Sequence, residues 1–154
     1  MRRALGSPES LRLTRTVSVP ELEDREALGA LAAALAHGGR SELKVDLLFV
    51  DDPTLSELHE QFLDDPSVTD VMAFDYTGDD DHLGEEDQSS PEAEVYVSVD
   101  RARAVAAERG ESVRDELLLY IVHGSLHLCG LDDHAVEDRE EMRAAERSVL
   151  SSLS

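Results

Sequence analysis

Three histidines within one twelve-residue stretch carry the strongest chemical signal in this chain. Residues 123–134 read His-Gly-Ser-Leu-His-Leu-Cys-Gly-Leu-Asp-Asp-His. His123 and His127 are four residues apart, so on a helix both imidazoles project from one face, one turn apart. Gly130 favours the left-handed conformation that ends a helix, and such a turn brings His134 back towards the same point. The spacing therefore predicts one zinc ion per chain, bound by three histidines, with a fourth position left for water as in catalytic sites.

An isolated pair of histidines at this spacing belongs to an ordinary helix about as often as to a metal site. Two features favour the metal site: the third histidine follows a glycine turn, and half of the chain's six histidines lie in this stretch. Gly124 is a third feature in favour of the metal site. Glycine in a helix interior costs roughly 1 kcal/mol of stability relative to alanine, so its presence indicates close approach of another backbone or of a substrate to the metal. Gly124 also replaces the general-base glutamate of His-Glu-x-x-His, which disfavours a standard zinc peptidase.

Two carboxylates before the last histidine are candidate partners of the metal site. Asp132 or Asp133 could orient a metal-bound histidine or accept a proton from metal-bound water. Capping of the final helix is an equally good interpretation of these two residues. Cys129 lies two residues beyond His127 and points about 200° round the helix from it. We therefore expect Cys129 to fill apolar space and not to bind the metal.

Hydrophobic periodicity and turn residues predict a small sheet with helices packed on it. The predicted strands cover residues 11–19, 44–50, 71–76 and 94–99. The predicted helices cover residues 21–37, 53–63, 100–110, 112–129 and 135–150. Residues 117–122 are too apolar for a surface helix, so the metal-bearing helix should be central. Strands and helices do not alternate regularly, and we therefore predict the α+β class, with a small mixed β-sheet.

Length and composition indicate one domain over residues 1–154. Residues 77–91 contain six carboxylates, and like charges at this density resist compaction, so we expect an exposed, flexible acidic loop at about 77–91. The chain has no apolar run long enough to span a membrane and its start lacks the apolar core of a secretory signal. Its single cysteine cannot form an internal disulfide. We expect a cytoplasmic protein.

The net charge of the chain is −21, with a pI of about 4.4. This acidity argues against general affinity for nucleic acid, which calls for basic surface. A group of arginines precedes the metal-bearing helix, at positions 101, 103, 109 and 114. The group could form a local basic rim, although a solvated helix face is the more ordinary interpretation of any one of them. The acid-rich, lysine-poor composition would also suit a protein adapted to a saline cytoplasm.

Three further stretches join the histidine stretch in pointing to one family. They are residues 45–52 (Val-Asp-Leu-Leu-Phe-Val-Asp-Asp), residues 69–76 (Thr-Asp-Val-Met-Ala-Phe-Asp-Tyr) and residues 95–98 (Val-Tyr-Val-Ser). Together with residues 123–134 they resemble the YbeY family of metal-dependent endoribonucleases. The resemblance covers roughly residues 44–145. The histidine stretch is its most specific part.

The resemblance implies a zinc-dependent, single-strand-specific endoribonuclease that acts in ribosomal RNA maturation and ribosome quality control. Its implied partners are ribosomal RNA and the ribosome or ribosome-associated factors, with no membrane and no DNA. The chain departs from the family at two places. The common signature has one residue fewer between Gly130 and the last histidine, so that Asp132 or Asp133 is extra here. Many members carry an arginine implicated in activity where this chain has Leu63.

Two other functions are compatible with the same residues. The first is a ribosome-associated factor whose metal is mainly structural, which Leu63 and the acidic composition favour. The second is a zinc hydrolase of a substrate other than RNA, such as a peptide or small amide, which Gly124 in place of the glutamate disfavours. The choice of RNA rests on the resemblance, whereas the hydrolytic chemistry rests on the histidines.

Overall fold

The structure, a computed structural model, describes residues 10–63, 70–77 and 90–153. Within these ranges four strands form one sheet: β1 Leu11–Arg15, β2 Val45–Val50, β3 Val71–Asp75 and β4 Ala93–Ser98. The strand order is β1-β2-β4-β3. β1, β2 and β4 run parallel to one another, and β3 runs antiparallel to β4. The mixed sheet confirms the predicted α+β class.

Helices account for most of the remaining described chain. They are α1 Asp24–His37, α2 Asp52–Leu63, α3 Val99–Arg109, α4 Val113–Leu128 and α5 Val136–Ser152. None of the helices in the described ranges is long and apolar enough to cross a bilayer. Most of the predicted acidic loop, at residues 78–89, lies outside the described residues.

Three predicted element boundaries were wrong for identifiable reasons. β1 ends at Arg15 and not at residue 19, because the Arg15 guanidinium donates to the carbonyls of Val19 and Leu22 and holds the chain in a turn. α1 begins three residues later than predicted, after a capping box formed by residues 23 and 26. α3 begins at residue 99, because the Ser98 hydroxyl and not Asp100 caps it.

One face of the sheet carries the main core, and α4 crosses it. Leu47, Phe49, Val95 and Val97 alternate along β2 and β4 and are fully buried against this helical layer. α4 packs against α1, α3, α5, β3 and β4, as its apolar sequence predicts. α2 covers the opposite face, where Leu55 is buried. The helix that carries His123 and His127 is thus enclosed on several sides and has a fixed position.

Gly124 allows α4 to approach the sheet closely. A Cβ atom at this position would lie 2.8 Å from Val71 Cγ2 and 2.8 Å from Val95 Cγ1. Both neighbours are β-branched side chains on strands, which are stiff about χ1 and cannot easily rotate away. The predicted close approach of a backbone or a substrate at this glycine was wrong about the approaching groups, which are valine side chains of β3 and β4.

The carboxyl end of α4 is tied to the sheet by Arg40. Its Nη1 atom lies 2.6 Å from the carbonyl oxygen of Leu128 and 2.7 Å from Asp75 Oδ2. A cation at this end satisfies a carbonyl without an intrahelical partner and opposes the helix dipole. The pKa of Asp75 is lowered, because hydrogen bonds from Thr77 and Arg40 outweigh the opposing effect of its partial burial. Arg40 therefore joins the end of α4 to the end of β3.

We expect Gly124→Ala and Gly29→Ala to change stability in opposite directions. Alanine at position 124 must displace packed valines, which costs about 1–3 kcal/mol and exceeds the gain in helix propensity of about 1 kcal/mol. Gly29 lies inside α1 with no atom within 4 Å of an added Cβ, so alanine there should stabilise by about 0.5–1 kcal/mol. Chemical denaturation measures both free energies of unfolding. Stabilisation by both substitutions would contradict the close approach of α4.

Candidate metal centre

Two histidines and one aspartate converge at the carboxyl end of α4. His123 Nε2 and His127 Nε2 are 3.1 Å apart, as expected for residues on one helix face. Asp133 Oδ2 lies 3.4 Å from His123 Nε2 and 3.7 Å from His127 Nε2. Donor atoms bound to a tetrahedral zinc ion at 2.0–2.2 Å are about 3.3–3.6 Å apart. The three observed separations bracket that range, so this group could hold one metal ion.

The structure does not place His134 in this group. Its side chain is 80% exposed, and its Nε2 atom lies 3.5 Å from Asp132 Oδ1. Asp132, Asp133 and His134 form a second potential ligand group among the described residues. The position of His134 is held by Arg139, whose Nη1 donates to the His134 carbonyl at 2.9 Å. The structure thus groups Asp133 with His123 and His127, two of the three predicted ligands. The set that includes His134 stays a prediction.

Neither aspartate caps the final helix, so that alternative interpretation was wrong. The residue before α5 is Ala135, and no side chain caps the helix there. Asp132 Oδ1 instead accepts a hydrogen bond from the backbone nitrogen of Asp133 at 2.8 Å. This bond stabilises the turn between α4 and α5. It leaves the Asp133 carboxylate directed at the two histidines.

Glu146 on α5 supports His123 from behind and was missed by the sequence analysis. Its Oε2 atom lies 2.5 Å from His123 Nδ1, and its side chain is only 14% exposed. Donation of the Nδ1 proton to this carboxylate fixes the tautomer in which Nε2 is free to bind a metal. The sequence held one signal for Glu146, which is its position on α5 beside the buried residues Met142, Ala145 and Val149.

The charges around His123 alter its protonation. Burial by itself would lower the pKa of the imidazole, but the hydrogen bond with Glu146 and the carboxylate charges of Glu146 and Asp133 raise it above the usual value. These carboxylates would stabilise a bound cation as they stabilise a protonated imidazole. The electrostatic environment therefore suits a metal ion.

Cys129 lies away from this group. Cys129 is half-buried and packs against Gly38, where an added Cβ would lie 2.3 Å from Cys129 Sγ. Its packing against the core confirms the prediction that it fills apolar space. Leu63 is the last residue of α2, and its side chain lies outside the described part of the structure.

Comparison with known proteins identifies the family of this chain. The family model described as Endoribonuclease YbeY matches residues 14–154. The chain belongs to the YbeY family. The endoribonuclease YbeY of Bacteroides thetaiotaomicron is 30% identical over 90% of this chain and 94% of that protein. The endoribonuclease YbeY of Desulfitobacterium hafniense is 34% identical over 88% of this chain and 91% of that protein.

A solved structure shares the fold. The solution structure of TM1509 from Thermotoga maritima aligns with 92% of this chain and 90% of that chain. The TM-score is 0.57 and the sequence identity is 23%. This likeness supports the α+β architecture of the chain.

Substitution of Asp133 and His134 should reveal which of them completes the metal site. With Asp133 as the third donor, we expect Asp133→Ala to weaken zinc binding by more than about a hundredfold, since a direct ligand outweighs an outer-shell partner. His134→Ala should then change affinity by less than about threefold, as should Asp132→Ala. Competition with a chelating dye measures the affinities. The reverse order, with His134→Ala as the damaging variant, would restore the three-histidine set.

Glu146 should contribute to zinc affinity without contacting the metal. We expect Glu146→Ala to weaken zinc binding by about 10–100-fold, the usual effect of removing the partner of a metal-bound histidine. Glu146→Gln keeps an oxygen that can accept the Nδ1 proton and should lose less. Glu141→Gln, an exposed position on the same helix, is the matched control. Equal affinities for Glu146→Ala and Glu141→Gln would show that Glu146 does not orient His123.

Proposed function

We propose that this member of the YbeY family is a zinc-dependent, single-strand-specific endoribonuclease that acts in ribosomal RNA maturation and ribosome quality control. The observation that carries the proposal is the convergence of His123, His127 and Asp133 at one point, in a chain of this family. Two nitrogen donors and one oxygen donor are a ligand set that zinc accepts in hydrolases. The proposal assigns one zinc ion per chain, to the group that contains both helix histidines.

Each residue at this site has a separate role in the proposal. His123, His127 and Asp133 would hold the ion, with His134 as the alternative third ligand. Glu146 keeps the His123 ring oriented through its Nδ1 atom. A zinc ion bound there would lower the pKa of its water ligand and would stabilise negative charge on the phosphate oxygens. We assign proton acceptance to the Asp132 carboxylate, which is 55% exposed next to Asp133.

The exposure of the donors supports a catalytic and not a structural metal. The side chains of His127 and Asp133 are 31% and 35% exposed, so an RNA strand could reach the ion. Structural zinc sites are instead closed by four protein ligands. We further propose a cytoplasmic location, ribosomal RNA and the ribosome or its associated factors as partners, and a single domain over residues 1–154.

Cleavage assays on several substrates test this function directly. We expect the zinc-loaded protein to cleave a single-stranded ribosomal RNA fragment and to leave duplex RNA and casein intact. Removal of zinc with a chelator should stop cleavage, and added zinc should restore it. His127→Ala should reduce the rate by at least about a hundredfold, because it removes a ligand of the ion that activates water. Cys129→Ala, which conserves the metal site, should cleave normally.

Other outcomes would identify the alternative functions. Digestion of casein without cleavage of RNA would indicate that the protein is a hydrolase of a substrate other than RNA. Co-sedimentation with isolated ribosomes without any cleavage would indicate a ribosome-associated factor with a structural metal. RNA cleavage by the His127→Ala variant at the normal rate would exclude this metal centre as the active site.

A further inference from the structure

A cavity of about 320 Å³ opens directly beside the metal centre. It lies between α3 and α4 and shares His123 and Glu146 with the centre. Arg101 and Arg109 of α3 line its other side. These two arginines are eight residues apart, which is about 12 Å along a helix. A ligand in this cavity would therefore lie between two guanidinium groups and the metal ligand His123.

The structure separates the arginines that the sequence presents as one basic group. Arg103 binds Glu21 through two nitrogens, at 2.8 and 2.9 Å, and also donates to the carbonyl of Ser18. Arg114 binds Glu26 at 2.7 Å. Both are thereby occupied in contacts with α1 and the segment before it. Arg101 and Arg109 are the members of this group that face the cavity.

The guanidinium donors of the cavity arginines are available to a ligand. The side chain of Arg101 donates no hydrogen bond to any residue in the described ranges. Arg109 is 57% exposed, and its Nη1 atom lies 3.7 Å from Glu116 Oε2, beyond hydrogen-bonding distance. In a chain of net charge −21, two arginines that line a cavity beside a metal centre are a specific local feature. Guanidinium groups bind phosphate through paired N–H donors.

Three carboxylates also line the cavity, and each has a reduced effect on an anion there. The Oε2 atom of Glu146 is engaged by the His123 ring, 2.5 Å from its Nδ1 atom. Glu116 is 2% exposed, and burial raises its pKa, so this carboxyl opposes an anion less than an ordinary glutamate. Asp70 is exposed at the start of β3, where water screens its charge. The α3 side of the cavity is consequently the side that can accept negative charge.

We propose that this cavity is the subsite for a backbone phosphate next to the scissile bond of a single-stranded RNA, with Arg101 and Arg109 as its cationic ligands. The inference rests on the proposed endoribonuclease function and extends it. A phosphate held there by the α3 arginines would place the neighbouring phosphodiester against the metal centre. Such a subsite would also explain how a strongly acidic protein binds RNA locally.

Salt-dependent RNA binding tests the subsite separately from cleavage. Binding of a short single-stranded RNA is measured with zinc removed by chelator, so that no cleavage occurs, over a range of KCl concentrations. We expect Arg101→Gln and Arg109→Gln each to weaken binding by about tenfold. Each should flatten the slope of log K against log salt concentration by about 0.7, the loss of one phosphate contact on a single strand. With zinc present, each should raise KM more than it lowers kcat.

Arg25→Gln is the matched control, because it removes the same charge from an arginine that is 86% exposed on α1. Its affinity and salt slope should equal those of the unmodified protein, and circular dichroism should show all variants folded. If Arg101→Gln and Arg109→Gln change RNA binding no more than Arg25→Gln does, the subsite alone is overturned. Arginine-dependent binding without cleavage by the zinc-loaded protein would overturn the nuclease function alone. No binding by the unmodified protein would overturn both.

Discussion

The close contact of α4 with the sheet at Gly124 is the constraint on which the metal centre depends. The absence of a Cβ atom lets the helix lie against Val71 and Val95, and this contact sets the position of the adjacent His123. His123 and His127 then project together from a helix that is packed on several sides. A rigid, enclosed element holds metal donors more accurately than a loop does. The depth of packing at one glycine therefore determines where an ion can bind.

Carboxylates around this helix serve distinct purposes in a chain rich in them. Asp75 pairs with Arg40 and fixes the end of α4, whereas Glu146 orients His123 and Asp133 completes the donor group. Other arginines in the described ranges are likewise paired with carboxylates, among them Arg15, Arg103 and Arg114. The net charge consequently says little about the local potential, which depends on which charges are already paired. Arg101 and Arg109, which line the cavity beside His123, are the cations that the proposed subsite uses.

The turn after α4 decides which side chains face the two helix histidines. In the structure Asp133, and not His134, lies opposite His123 and His127. A carboxylate carries a negative charge that an imidazole lacks, so it would lower the net charge of a zinc site. Water on such a site would be less acidic than on three histidines, because the ion would attract electrons less strongly.

The sequence by itself determined the central apolar helix, the face shared by His123 and His127, the mixed α+β class and the family. The helix, the shared face and the class follow from periodicity, turn residues and short spacings, all of which act between near neighbours in the chain, whereas the family follows from the resemblance of four stretches. Only the tertiary structure showed the approach of Asp133 to the two histidines, the support from Glu146 and the division of the arginines between ion pairs and cavity. Glu146 lies 23 positions from His123, and Asp133 is brought back to the histidines by the turn after α4. Such contacts depend on how the helices pack against one another, which local periodicity does not specify.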